Sequence, residues 1–185
     1  MKDLKEFDIS FVGLKEGIHH FEYTIDRKFF DFFKYDDFHA TNIKVDLTFV
    51  KKATLFELEF NFSGWVEVNC DLTNELFKQP ISSVENLIVK FGEEFNAVDE
   101  ELLIIPYAEF KLNVSQNIYE AIVLSVPIKL VHPGIADGTL KSEVLEKLKE
   151  FEIEEQEIHT IEDIDPRWNK LKEIKLDKNT SNGTS

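Results

Sequence analysis

Any chemistry in this chain would have to come from one cysteine, five histidines and a large excess of carboxylates. Cys70 follows Val66 and Val68 at even positions of an alternating run. It therefore reads as a small buried apolar residue rather than a nucleophile. The histidines are His19, His20, His39, His132 and His159. None falls at i, i+4 on an expected helix and none neighbours Cys70, so no metal site is expected. The glycines are scattered, with no phosphate loop before a Lys-Ser/Thr pair and no Ser set between glycines as a nucleophile elbow. The 36 Asp and Glu residues include many formal pairs. A catalytic pair, however, needs one carboxyl whose pKa is raised by burial, and spacing does not select one. The expectation is a protein that is not an enzyme and needs no cofactor.

The segment that stands apart chemically is Asp165-Pro166-Arg167-Trp168-Asn169-Lys170-Leu171 and its continuation to Lys178. Asp165 can cap a helix, and Pro166 suits its first turn, where the missing N–H would have no partner anyway. Trp168, Leu171 and Ile174 recur every three residues as an apolar stripe. Arg167, Lys170, Lys172, Lys175 and Lys178 make this the locally basic part of an acidic chain. A helix this short orders only by docking. It can dock on its own sheet, or it can be a recognition element. In the second case Asp165, Pro166, Arg167, Trp168 and Leu171 form the contact, with Trp168 as anchor and Arg167 as a bidentate donor.

The rest of the chain must supply the scaffold, and its first half reads as strands. Phe7, Ile9 and Phe11 alternate with polar neighbours, as do Phe21, Tyr23 and Ile25. An antiparallel hairpin joining the two runs through Gly13 and Gly17 would put all six on one face. Phe29, Phe30, Phe32 and Phe33 fit one or two buried helical turns, better read as core than as a ligand cage. Ile43, Val45, Leu47 and Phe49 alternate against Phe56, Leu58, Phe60 and Phe62. A four-residue loop, Lys51 to Thr54, would pair Phe49 with Phe56 and Ile43 with Phe62. The even parity runs on through Val66, Val68, Cys70 and Leu72. A tight hairpin at Ser63-Gly64 would bring Glu67 beside the core, so one long strand bent or bulged at Gly64 is expected.

Leu87, Val89 and Phe91 suggest a further strand, followed by an acidic loop from Glu93 to Glu101. Leu102 to Ile105 is an apolar run stopped by Pro106. Asn113 with Gln116 has the form of a capping box, and Val114, Ile118, Ala121, Ile122 and Ser125 recur at helical spacing up to Pro127. This amphipathic helix should pack on the sheet. The composition changes after Pro133. The expected organisation is a core domain over residues 1–133 and an acidic, partly helical linker over 134–164, where Val144, Leu145 and Leu148 can form a short helix. The motif helix follows over 165–178, then a polar, disordered tail over 179–185. The fold class is α+β: an antiparallel sheet, open or closed into a barrel, with one packed helix and a short C-terminal helix.

Composition bounds the setting. Hydrophobic residues are 43% of the 185, enough for a core, and the formal net charge is −15. Such a charge opposes binding to bare phosphate backbones and favours basic partners. A lone cysteine excludes an intrachain disulfide. The charged start Met1-Lys2-Asp3-Leu4-Lys5-Glu6 does not resemble a signal peptide, and no apolar run has membrane-spanning length. The Asn-x-Ser/Thr triplets at Asn61 and Asn113 carry no meaning without secretion. A cytoplasmic protein with no membrane association is expected. Trp65 and the tyrosines are not interleaved with Lys or Arg as an RNA-binding sheet would have them.

Three segments resemble the YceD family, whose name describes accumulation of large-subunit ribosomal RNA. The first is Asp165 to Ile174, similar to the Asp-Pro-Arg-(Trp/Phe) stretch and Leu-containing helix that end members of that family after an acidic connection. The second is Phe110 to His132, including Leu112, Ile118, Tyr119, Glu120, Leu124 and Pro127. The third is Gly64 to Cys70, similar to the strand leading into a Cys-x-Arg-Cys-Leu motif. Here Leu72 and Thr73 stand where that motif has Arg and its second Cys, so no metal or redox role carries over. The resemblance implies a non-catalytic accessory factor in ribosome biogenesis that supports large-subunit RNA accumulation. Its implied partners are a ribosomal protein or pre-ribosomal particle, with indirect or weak RNA contact. The alternative is a general acidic interaction module for a basic partner protein.

Overall fold

Alternation of large apolar and polar residues over Ala40–Lys51 (β3) and Leu55–Asn69 (β4) gives two long strands that each bury one face. They pair antiparallel, with Val45 opposite Phe62 and Phe49 opposite Leu58. The register is displaced by two residues from the one expected. Lys52 N donates to Leu55 O at 3.0 Å, so the turn is the pair Ala53-Thr54 rather than a four-residue loop. A shift of two preserves facing, and Ile43, Val45, Leu47, Phe49, Phe56, Leu58, Phe60 and Phe62 are all buried.

The computed structural model describes residues 4–99 and 101–151. Around the β3–β4 hairpin a six-stranded sheet runs in the order β2-β3-β4-β5-β7-β6. The added strands are β2 (Gly17–Asp26), β5 (Leu76–Gly92), β6 (Asn96–Asp99) and β7 (Leu102–Pro106). The sheet is open, ending at β2 and β6, so it does not close into a barrel. It is antiparallel except where β7 lies parallel to β5, Ile88 opposite Leu102. The expected acidic loop from Glu93 to Glu101 contains β6, whose pairing with β7 shifts register between Ala97 and Asp99.

β4 passes Gly64 in unbroken register, as one strand with no bulge. Glycine is required there. Its φ is +155°, and a Cβ would lie 2.2 Å from the Asn42 carbonyl oxygen and 2.7 Å from Ile43 Cα. The strand stops at Asn69, so Leu72 belongs to the following turn and is exposed rather than inward.

The expected N-terminal hairpin does not form. Phe7 ends a 3-10 turn (Leu4–Phe7), and Phe11 begins another (Phe11–Gly13). Between them the short β1 (Asp8–Ile9) pairs with β8 (Leu112–Asn113), while β2 pairs with β3. Phe7, Ile9 and Phe11 are still buried, because the alternation marks which side chains leave water and not which strand they meet. Phe11 reaches Phe56 across the core, ring centroids 4.9 Å apart.

Helix α1 (Arg27–Phe32) buries Phe29 and Phe30 but leaves Phe32 exposed. Helix α2 (Ser115–Ser125) buries Ile118, Ala121 and Ile122, and Val114 just ahead of it, as the helical spacing predicts. The two helices meet through Phe33 and Tyr119, stacked at 4.2 Å. The capping differs from the box expected. Asn113 Oδ1 accepts from Ser115 N at 3.0 Å, but Gln116 turns outward and its Nε2 donates to Glu120 at 2.9 Å. A short α3 (Pro133–Ala136) and α4 (Glu143–Phe151) follow, the latter containing Val144, Leu145 and Leu148. The chain divides into units Met1–Leu145 and Glu146–Ser185. The motif helix over 165–178 and the tail over 179–185 lie outside the described residues. No helix among the described residues is long and apolar enough to cross a membrane.

Candidate binding surface

Two features set the first half of β5 apart from its neighbours in the sheet. Among the described residues, β5 has only β4 as a strand partner over Leu76 to Leu87, and β7 pairs with it from Ile88 onward. The same stretch breaks the inward apolar pattern. Gln79, Ser83 and Glu85 stand opposite Val66, Phe62 and Phe60, on the face that β4 fills with hydrophobes. Phe77, Ile81, Leu87 and Val89 remain buried on that face. The core therefore opens beside Glu85. A groove of about 610 Å³ runs there between β5 and α2, with Phe60, Leu87 and Ala121 in its apolar lining, beside Leu124. Glu85 and Glu120 bring carboxylates to it, and Leu124 is 77% exposed. The Ser83 hydroxyl is buried without a hydrogen-bond partner.

A second groove of about 600 Å³ lies toward the start of α2, with Leu4, Asp8, Phe33, Lys111 and Asn113 among its lining. Lys111 Nζ donates to Asp8 Oδ2 at 2.6 Å, and Asn113 Nδ2 donates to Asp8 Oδ1 at 2.7 Å. These donors hold the Asp8 carboxyl below its usual range, with Lys111 the leading cause. Asp8 is thus a structural tie between β1 and β8.

Cys70 lies at the end of β4 in a turn stitched to the segment after α2. Asp71 N donates to Leu130 O at 2.7 Å, and Leu130 N returns a bond to Asp71 Oδ2 at 2.6 Å. The Cys70 sulfur accepts from His132 N at 3.3 Å. Burial pushes the thiol pKa up. Hydrogen bonding from Thr73, His132 N and Leu72 outweighs it, leaving the thiol below its ordinary value. Only the backbone of His132 serves the sulfur. Its ring Nδ1 accepts from Gly134 N at 2.9 Å and its ring packs against Phe77. Among the described residues the arrangement supplies no general base to the thiol, and Cys70 is 2% exposed. Among the described residues, no cluster of three or more His, Cys, Asp or Glu is placed to hold a metal ion.

The outer sheet face is open to solvent. There Lys78 Nζ lies 3.9 Å from the Trp65 ring centroid. Glu57, Glu59 and Glu67 share the outward side of β4 with Trp65, so the lysine–aromatic pair sits on an acidic strand face.

The contact residues singled out in the sequence, Asp165, Pro166, Arg167, Trp168 and Leu171, all lie outside the described residues. Sequence reasoning missed Glu85, because the polarity of Gln79, Ser83 and Glu85 hid the first half of β5. The signal available was Ile81, which shares parity with Leu87, Val89 and Phe91.

The family model described as "Large ribosomal RNA subunit accumulation protein YceD" matches residues 58–175, more than half of the chain. The matched span includes nearly all of β4, the Cys70 turn, β5, α2 and the segment Asp165–Leu171. No curated protein and no solved structure matches the chain.

Proposed function

The chain belongs to the YceD family, and from that premise we propose that it is a non-catalytic accessory factor in ribosome biogenesis that supports accumulation of large-subunit ribosomal RNA. The family match carries this reading, since it covers both the folded body from β4 to α2 and the C-terminal motif. In the proposed mechanism the acidic body shields a basic ribosomal protein or a pre-ribosomal particle. The segment Asp165-Pro166-Arg167-Trp168 with Leu171 contacts the partner or its RNA. The net charge of −15 supports a basic protein over direct RNA binding. The sealed Cys70 thiol supports a role without catalysis. Action in the cytoplasm follows from this reading.

Deletion of residues 165–178 tests it. Large-subunit RNA should fall relative to small-subunit RNA, and unchanged ribosome profiles would overturn the proposal. The acidity of the chain also favours a second reading, a general interaction module for basic proteins. Affinity capture separates the two: ribosomal components support the first reading, and unrelated basic proteins without them support the second.

A further inference from the structure

The backbone alternation along β5 determines which of its polar groups are spoken for. Lys52 N donates to Leu55 O, so odd residues of β4 bond to β3 and even residues bond to β5. Through the β4–β5 register those even residues meet odd residues of β5. The N–H and C=O of Leu76, Lys78, Ser82, Val84 and Asn86 therefore point away from β4. Two observations agree. Ile88, of the same parity, donates its N–H outward to Glu101 O at 2.8 Å. Pro80, which has no N–H to offer, occupies an outward-pointing position.

We propose that this edge, with the adjoining groove against α2, binds an extended lysine- or arginine-rich segment of a partner protein as an added strand. The inference deepens the accessory-factor reading and rests on it for the identity of the partner as a ribosomal protein. An added strand takes main-chain hydrogen bonds from the outward groups of β5 and sends alternate side chains into the groove. The groove specifies those side chains. Phe60, Leu87 and Ala121 take the apolar part of each, while Glu85 and Glu120 face its charge. Lysine and arginine fit both requirements, because their stems are apolar and only their heads are charged. A natural edge strand of this length is usually shortened, bulged or covered. Here β6, at one end of the sheet, is short and irregular, whereas β5 keeps unbroken register with β4 over fifteen residues and carries one proline.

The experiment uses the full chain and a fluorescein-labelled peptide of alternating valine and lysine, read by fluorescence anisotropy. Saturable binding that weakens with salt is expected, together with weak binding of the valine–glutamate counterpart. Val84→Pro removes one outward N–H without touching the β4 ladder and should weaken binding about tenfold. Should that variant fail to fold by circular dichroism, the double variant Glu85→Lys, Glu120→Lys decides instead. Both positions are exposed, and the same loss is expected with a flattened salt dependence. Equal affinity for the acidic peptide, or unchanged affinity in the folded variants, would overturn the proposal. So would displacement of the valine–lysine peptide by an RNA oligonucleotide whose own binding falls in the same variants. Absence of peptide binding, with large-subunit RNA still lost on deletion of 165–178, overturns the groove alone. Variant-sensitive binding with unchanged ribosome profiles supports the groove and overturns the accessory-factor reading.

Discussion

β4 and β5 lie side by side over fifteen paired positions, Leu55 to Asn69 against Leu76 to Lys90, and bury their inner faces in different ways. On β4 every even position from Phe56 to Val68 is a hydrophobe except Gly64. Gly64 is there because β3 passes too close for any side chain. On β5 the inward positions are Phe77, Gln79, Ile81, Ser83, Glu85, Leu87 and Val89. One strand presents a continuous apolar inner face and has a strand on each side. The other gives up packing over the stretch that leaves its edge free. A polar interruption on an otherwise apolar face marks where the core stops and an accessible surface begins. Both strands lie within a single core, so the difference comes from their neighbours. β4 is flanked along its length, whereas β5 has a second partner only from Ile88.

The comparison can be broken most forcefully at Gly64. Gly64→Ala drives a Cβ into the β3 backbone and strains a positive φ, and should destabilise by about 4–6 kcal/mol. Chemical denaturation checks this, and a loss below about 1 kcal/mol would mean the two strands separate easily there. Phe56→Ala should follow at about 3–5 kcal/mol, because its ring meets Phe11, Phe49 and Phe91 at 4.9–5.2 Å and leaves a cavity among them. The smallest effect belongs to β5. Ser83→Ala deletes a buried hydroxyl that has no partner, so stability should change by less than about 1 kcal/mol, in the favourable direction. A large loss at Ser83 would erase the contrast between the strands.

Asp8 offers a control outside the pair. Its folded-state pKa is depressed, so it contributes stability above its unfolded value near 3.8, lost as pH falls through the folded value. In Asp8→Asn the melting temperature should therefore become less dependent on pH below about 4.

Sequence legibility followed the same division. The β3–β4 register differs by two residues from the expected one, yet the eight apolar residues expected to face inward are all buried, since facing depends on parity and registration depends on the turn. The N-terminal run Phe7, Ile9, Phe11 was read correctly as buried and wrongly as a hairpin strand. Its burial is achieved by two 3-10 turns around a two-residue bridge to β8, a partner more than a hundred residues away. The helix α2 was legible from its spacing, but its reciprocal cap was not, because Gln116 found Glu120 on its own helix face. The acidic stretch from Glu93 hid β6, whose place in the sheet depends on β7 and not on its own pattern.

By itself the sequence determined most of the side chains that leave water, the helical stripe of α2, the acidic balance of the chain and, through Asp165-Pro166-Arg167-Trp168, its family. Those properties are local or additive. Tertiary structure alone decided that the sheet is open, that β7 runs parallel to β5, and that Glu85 faces a groove beside a stretch of β5 with no second strand among the described residues. Each of these requires knowing which strands are neighbours. Neighbours are chosen by the packing of the whole core rather than by any segment's own alternation.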